Sequence, residues 1–152
     1  MTATLHRRPL TAALLESLLD AGKPVGDGVI PPGSAWSGEP NAPGSTFTPY
    51  LVLSTMTANT SSGPVGDPQG DWRLPYLVQS FGASREQAEW MADEARELAG
   101  GLRGQVLVLG ADRYKVQQVY SASIGAVNRV DTYDPPYWGQ QDQIVVWLTK
   151  EP

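Results

Sequence analysis

The chain has 152 residues, 41% of them hydrophobic, a size at which one domain buries about two-thirds of the surface its unfolded chain exposes. A formal net charge of -5 and a pI near 4.7 argue against a sequence-independent grip on phosphates, which requires clustered Lys and Arg. Zero cysteines exclude disulfides, thiolate metal sites and cysteine nucleophiles and fit synthesis in a reducing cytoplasm, while 16 glycines and 13 prolines imply much loop and turn.

At the N-terminus Arg7 and Arg8 precede an apolar run in the manner of a secretory signal. Pro9, Glu16 and Asp20 interrupt the run and no small-residue cleavage pattern follows, so a mature N-terminus is expected. No stretch reaches the roughly eighteen apolar residues of a membrane span, which predicts a soluble protein. Over residues 11–21, Leu14, Leu15, Leu18 and Leu19 make an apolar stripe between Pro9 and Gly22, the pattern of a short amphipathic helix. Residues 23–47 read as loop, with one short strand around Val29 and Ile30. Gly26-Asp27-Gly28 lacks the Gly-Lys-Ser/Thr ending of a phosphate loop and reads as a turn. Trp36 stands alone in this loop, where an indole either folds back onto the domain or anchors a partner.

Residues 49–56 form an unbroken apolar run that predicts a central strand. The polar segment 57–71 predicts a long loop, mobile until neighbouring subunits order it. In residues 72–81, Trp72, Leu74, Tyr76 and Val78 share one face of a strand. Pro75 points to an edge position or to the strand's beginning. Ser84 with Gln87 three residues on is a capping box opening a helix over 84–99. Ala88, Met91, Ala92, Ala95, Leu98 and Ala99 recur along its core stripe, and Gly100 and Gly101 supply a left-handed stop. Residues 105–109 and 114–121 then predict a hairpin buried through Val106, Val108, Val116, Val119 and Tyr120. Residues 122–142 read as irregular, with a rigid aromatic turn over 134–139. Residues 143–149 are apolar on both faces, as a strand inside a sheet or under an interface would be. The expected fold is a single α+β domain over 1–152: a mostly antiparallel sheet of four or five strands, helices packed on one face, and long loops.

Catalytic signals are missing. His6 is the lone histidine, so neither a Ser-His-Asp triad nor a histidine metal cluster can be assembled, and no G-x-S-x-G elbow occurs. Two-carboxylate chemistry stays open, since Asp and Glu together number 16. An assembly or binding protein with no cofactor is therefore expected rather than an enzyme. Its candidate surfaces are two. Glu86, Glu89, Asp93 and Glu97 form an acidic stripe on the outer side of the second helix. The stripe is either a solvated face or the partner of basic residues on a neighbouring subunit, for which Arg103, Arg113, Lys115 and Arg129 are available. Tyr133, Tyr137 and Trp138 form an aromatic group beside rigid prolines, either a cap on the core or an interface anchor.

The strand and helix over 72–104, with the phrase V-Q-S-F-G-x-S-R-E-Q-A-E at residues 78–89, resemble the tail terminator (tail-completion) proteins of long-tailed phages, especially those of actinobacterial hosts. The order of elements extends the resemblance over most of the chain. It implies a structural virion protein: a homohexameric ring on the head-proximal end of the tail tube that ends tube polymerisation. Its implied neighbours are the tail tube protein and the head-tail connector protein, with DNA passing through the lumen without specific binding. Another neck or tail-tube structural protein is the nearest alternative.

Overall fold

The computed structural model describes residues 5–40, 42–58, 70–131 and 136–151. Helix α1 (Arg8–Asp20) leads into the short strand β1 (Val25–Asp27), then into β2 (Ala35–Trp36), β3 (Phe47–Thr48) and β4 (Tyr50–Thr55). The long strand β5 (Asp71–Gly82) runs into helix α2 (Arg85–Gly100). After it come β6 (Val106–Val108), β7 (Arg113–Ile124), β8 (Asn128–Val130) and β9 (Tyr137–Lys150). One sheet holds seven of the strands in the order β1-β4-β5-β9-β7-β6, with β8 also paired to β9, while β2 and β3 form a separate two-stranded ribbon. β1 lies parallel to β4 and the other pairs are antiparallel.

This corrects the expected four- or five-stranded, mostly antiparallel sheet. Of the described residues 45% are strand and 22% helix, in one large curled mixed sheet. The sequence reading fell short at two places. In residues 23–47 the strand is Val25–Asp27, and Val29 and Ile30 stand exposed beyond the turn, where the Gly28 N–H donates to Leu53 O at 2.8 Å. Residues 122–142, read as irregular, hold the end of β7, all of β8 and the start of β9 from Tyr137, because β5 offers a ladder long enough to pair Gly82 with Trp138. Gly139, Gln140 and Asp142 gave no strand signal. Strand pairing overrides such weak local propensity.

β9 is the central strand, with twelve-residue β5 on one side and β7 followed by β8 on the other. Side-chain alternation then sorts each strand's residues onto two faces. On one face Leu51, Leu53, Leu74, Tyr76, Val78, Ile144, Val146 and Leu148 meet Leu10, Leu14 and Leu18 of α1 and Met91, Ala95 and Ala99 of α2. Both helices therefore cover the same face. α2 begins as the capping box requires: the Gln87 N–H donates to Ser84 Oγ at 3.2 Å, and the Ala83 N–H donates to Gln87 Oε1 at 2.7 Å. Its end differs from expectation. Gly101 keeps right-handed helical angles, and the chain turns left-handed only at Gly104, φ +88°, one turn later.

Pro75 occupies an interior strand, and the ladder shows how. The Met56 N–H donates to Pro75 O at 3.2 Å, but proline has no N–H to return the bond to Met56 O. Arg7 fills the gap: its Nη1 donates to Met56 O at 2.6 Å and its Nη2 donates to Pro75 O. The guanidinium lies 4.4 Å above the Tyr76 ring, whose hydroxyl meets Thr11 Oγ1 at 2.8 Å. The side chain of the N-cap residue of α1 thus closes the defect that a proline opens in the sheet. Replacing Arg7 by Met is expected to cost about 1–3 kcal/mol by stranding part-buried carbonyls. Pro75→Ala, which restores a backbone donor, should recover part of that loss only when Arg7 is absent. Chemical denaturation of the four combinations checks this, and strictly additive effects would refute the repair.

Candidate assembly surfaces

The outward features of the molecule are set by what holds α2 on the sheet. Asp142 of β9 is 1% exposed and faces the helix layer, an expensive place for a carboxylate unless it is paired. Arg96 of α2 donates Nη1 to its Oδ2, and the Gly125 N–H and Gln140 Nε2 donate to Oδ1 at 3.0 and 2.9 Å. The second nitrogen of Arg96 bonds Asp93. A single carboxylate thus joins the helix, the central strand and the turn after β7. That turn needs its glycine, because a Cβ at Gly125 would lie 2.1 Å from Gln141 O. A shallow groove of about 480 Å³ runs along this junction between Arg85, Glu89 and Asp93 on one side and residues 124–127 on the other.

Among the described residues, no helix lies over the opposite face of the sheet. By the register, Leu77 and Phe81 of β5, Val145 and Trp147 of β9, and Tyr120 of β7 point that way. Trp147 is half-buried; its Nε1 donates to Asp71 Oδ1 at 2.6 Å, and the Arg73 guanidinium sits 4.8 Å over its ring. At the β6 end, Val106 pairs with Lys115 and Val108 with Arg113. Tyr114 and Val116 of β7 are in the core, so these four side chains point away from the helices. Val106 and Val108 were expected to supply burial. They are 39% and 59% exposed, and Leu107 between them is the residue packed on the core. Three consecutive apolar residues carry no in-or-out cue. The alternation Arg113-Tyr114-Lys115-Val116 in the partner strand carried it and was not applied across the hairpin.

The aromatic residues singled out in the sequence divide. Tyr137 is 4% exposed at the start of β9, its hydroxyl 3.2 Å from that of Tyr50. Phe47, Tyr50, Phe81 and Tyr137 pack together with ring centroids 4.8 to 6.4 Å apart, and Trp36 meets Phe47 edge-on at 5.6 Å. Trp36 and Tyr137 therefore fold back onto their own chain, where the β2–β3 ribbon closes one end of the uncovered face. Trp138 is half-buried with the Arg85 guanidinium 5.0 Å over its ring. Tyr133 lies outside the described residues, as do residues 59–69 of the loop expected over 57–71.

The charged residues stay on the surface. Glu86, Glu89, Asp93 and Glu97 are all exposed along the outer side of α2; Asp93 is paired to Arg96, and the other three form no ion pair among the described residues. Arg113 and Lys115 are exposed and likewise without an ion-pair partner among the described residues, and Arg103 is exposed too. Arg129 pairs with Asp131 two residues away at 2.6 Å. Sequence reasoning passed over one neighbour of the acidic stripe: Trp90, 47% exposed on the same side of α2, with Lys23 Nζ 4.1 Å over its ring. Its spacing of four from Glu86 was the signal.

No helix among the described residues is long and apolar enough to cross a membrane. Searches of protein-family models and of curated proteins give no match to the chain. The Asp142 junction makes its own prediction. Arg96→Met leaves a buried carboxylate without its counter-ion and is expected to cost about 3–5 kcal/mol. Asp142→Asn in the same chain should recover much of it, because the amide oxygen still accepts from Gly125. Thermal and denaturant unfolding of the single and double variants measures this, and equal loss in Arg96→Met with and without Asp142→Asn would remove the ion pair from the account.

Proposed function

We propose that this chain is a tail terminator of a long-tailed phage. In this reading six copies join head to tail into a ring on the head-proximal end of the tail tube, end its polymerisation and present their far side to the head-tail connector. The protein is a structural component of the virion with no enzymatic role. The observation that carries the reading is the sheet face that no helix covers among the described residues, where Val106 and Val108 stand exposed and Leu77, Tyr120 and Trp147 are half-buried. A face of this kind is ordinarily closed by another subunit or another protein. The resemblance over residues 72–104 supplies which proteins: a second copy, the tube and the connector. Its most specific phrase, at residues 78–89, falls on the end of β5 and the capped start of α2. Repeated around an opening, a subunit of net charge -5 also repels phosphates, so a duplex passes without sticking.

The test is made on the particle. Averaged images of the tail end that carries this protein are expected to show sixfold symmetry, a ring of six times 16.4 kDa. Particles assembled without the protein should carry tubes of unregulated length and no heads joined to them. Any other count at that end, or tails of normal length in its absence, would overturn the assignment.

A further inference from the structure

The acidic side of α2 and the bare end of the sheet are complementary in three respects. Glu86, Glu89 and Glu97 are exposed and without an ion-pair partner among the described residues, and so are Arg113 and Lys115. Each charge set surrounds exposed apolar surface, Trp90 on the helix and Val106 with Val108 on β6. The two patches also point in opposite directions, since α2 packs on one face of the sheet and the β6–β7 residues project from the other. A contact that set either patch on its own copy would place like charges together. A contact of one patch on the other in the next molecule is heterologous and repeats.

We infer that the outer face of α2 in one copy seats on the β6–β7 end of the helix-free face in the next. Trp90 lies against Val106 and Val108, and Glu86, Glu89 and Glu97 stand beside Arg113 and Lys115. The inference rests on the ring reading only for the number of copies. The contact itself follows from the charges, the exposed apolar residues and their opposed directions. Its apolar centre supplies attraction at any ionic strength, and its rim of charges selects the partner face and weakens as salt is added.

A chain with zero native cysteines allows a clean test. Glu89→Cys and Lys115→Cys proteins are made separately, confirmed folded by their thermal transitions, mixed at high concentration and treated with a short bismaleimide linker. Mixed 89–115 dimers should outnumber the 89–89 and 115–115 products roughly tenfold, with the preference falling as salt rises to about 0.5 M. Chains bearing Glu86→Lys and Glu97→Lys should lose the mixed product, and Arg113→Glu on the partner should restore it. Predominant 89–89 or 115–115 linkage, a mixed product indifferent to these reversals, or no linkage at all would overturn the contact. The doubly substituted Glu89→Cys/Lys115→Cys chain separates this from the ring reading. A ladder of linked products that stops at six supports both, and one that stops elsewhere or does not stop keeps the contact and sinks the sixfold ring.

Discussion

The pairing of β5 with β9 is the constraint from which the rest of the molecule follows. Twelve consecutive residues, Asp71 to Gly82, pair in unbroken register with Thr149 to Trp138, and this ladder decides which side chains of both strands share a face. Shift it by one residue and Tyr76, Ile144 and Val146 exchange places with Leu77, Val145 and Trp147. The first set needs the helices above it, because the long residues of α1 and the small residues of α2 are shaped to cover it. Register, helix placement and the position of the bare face are therefore one decision.

That decision carries two polar liabilities, and both are repaired across distant parts of the chain. Pro75 removes a donor from the β4–β5 ladder, and Arg7, 68 residues earlier, donates to its carbonyl and to that of Met56. The alternation that buries Ile144 also buries Asp142, and Arg96 with the Gly125 N–H answers it. Each repair ties a helix to the sheet at one defined place. Burying a charge with a defined partner gives little net stability but penalises every misregistered arrangement that would leave it alone. In this protein the two repairs hold α1 and α2 on one face of the sheet, with the outer side of α2 turned to solvent.

The surfaces so exposed are opposed in chemistry as well as in direction. An acidic helix face with Trp90 and a basic sheet end with Val106 and Val108 cannot neutralise one another within a single subunit, because the sheet lies between them. Net charge describes such a molecule poorly, since it hides the arrangement of its charges in two separated patches. The aromatic cluster of Phe47, Tyr50, Phe81 and Tyr137 has a different role. Its rings satisfy one another, and they close the end of the bare face that lies farther from β6.

Local rules in the sequence determined the two helices, the Ser84–Gln87 capping box and the apolar runs of β4, β5 and β9, because these follow from periodicity and from chemistry three or four residues apart. The exposed acidic stripe of α2 was legible for the same reason. The breadth of the sheet was not, since β1 and β8 are three residues each and exist only because a neighbouring strand offers a ladder. The first part of β9 reads as an aromatic turn and irregular chain until β5 pairs with it. The candidate site divides the same way. Glu86, Glu89 and Glu97 can be placed by counting along one helix, whereas the exposure of Val106 and Val108, the burial of Tyr137 and the partnership of Arg7 with Pro75 are fixed by residues far away in the chain. Strand pairing and burial are long-range, and only the tertiary structure decides them.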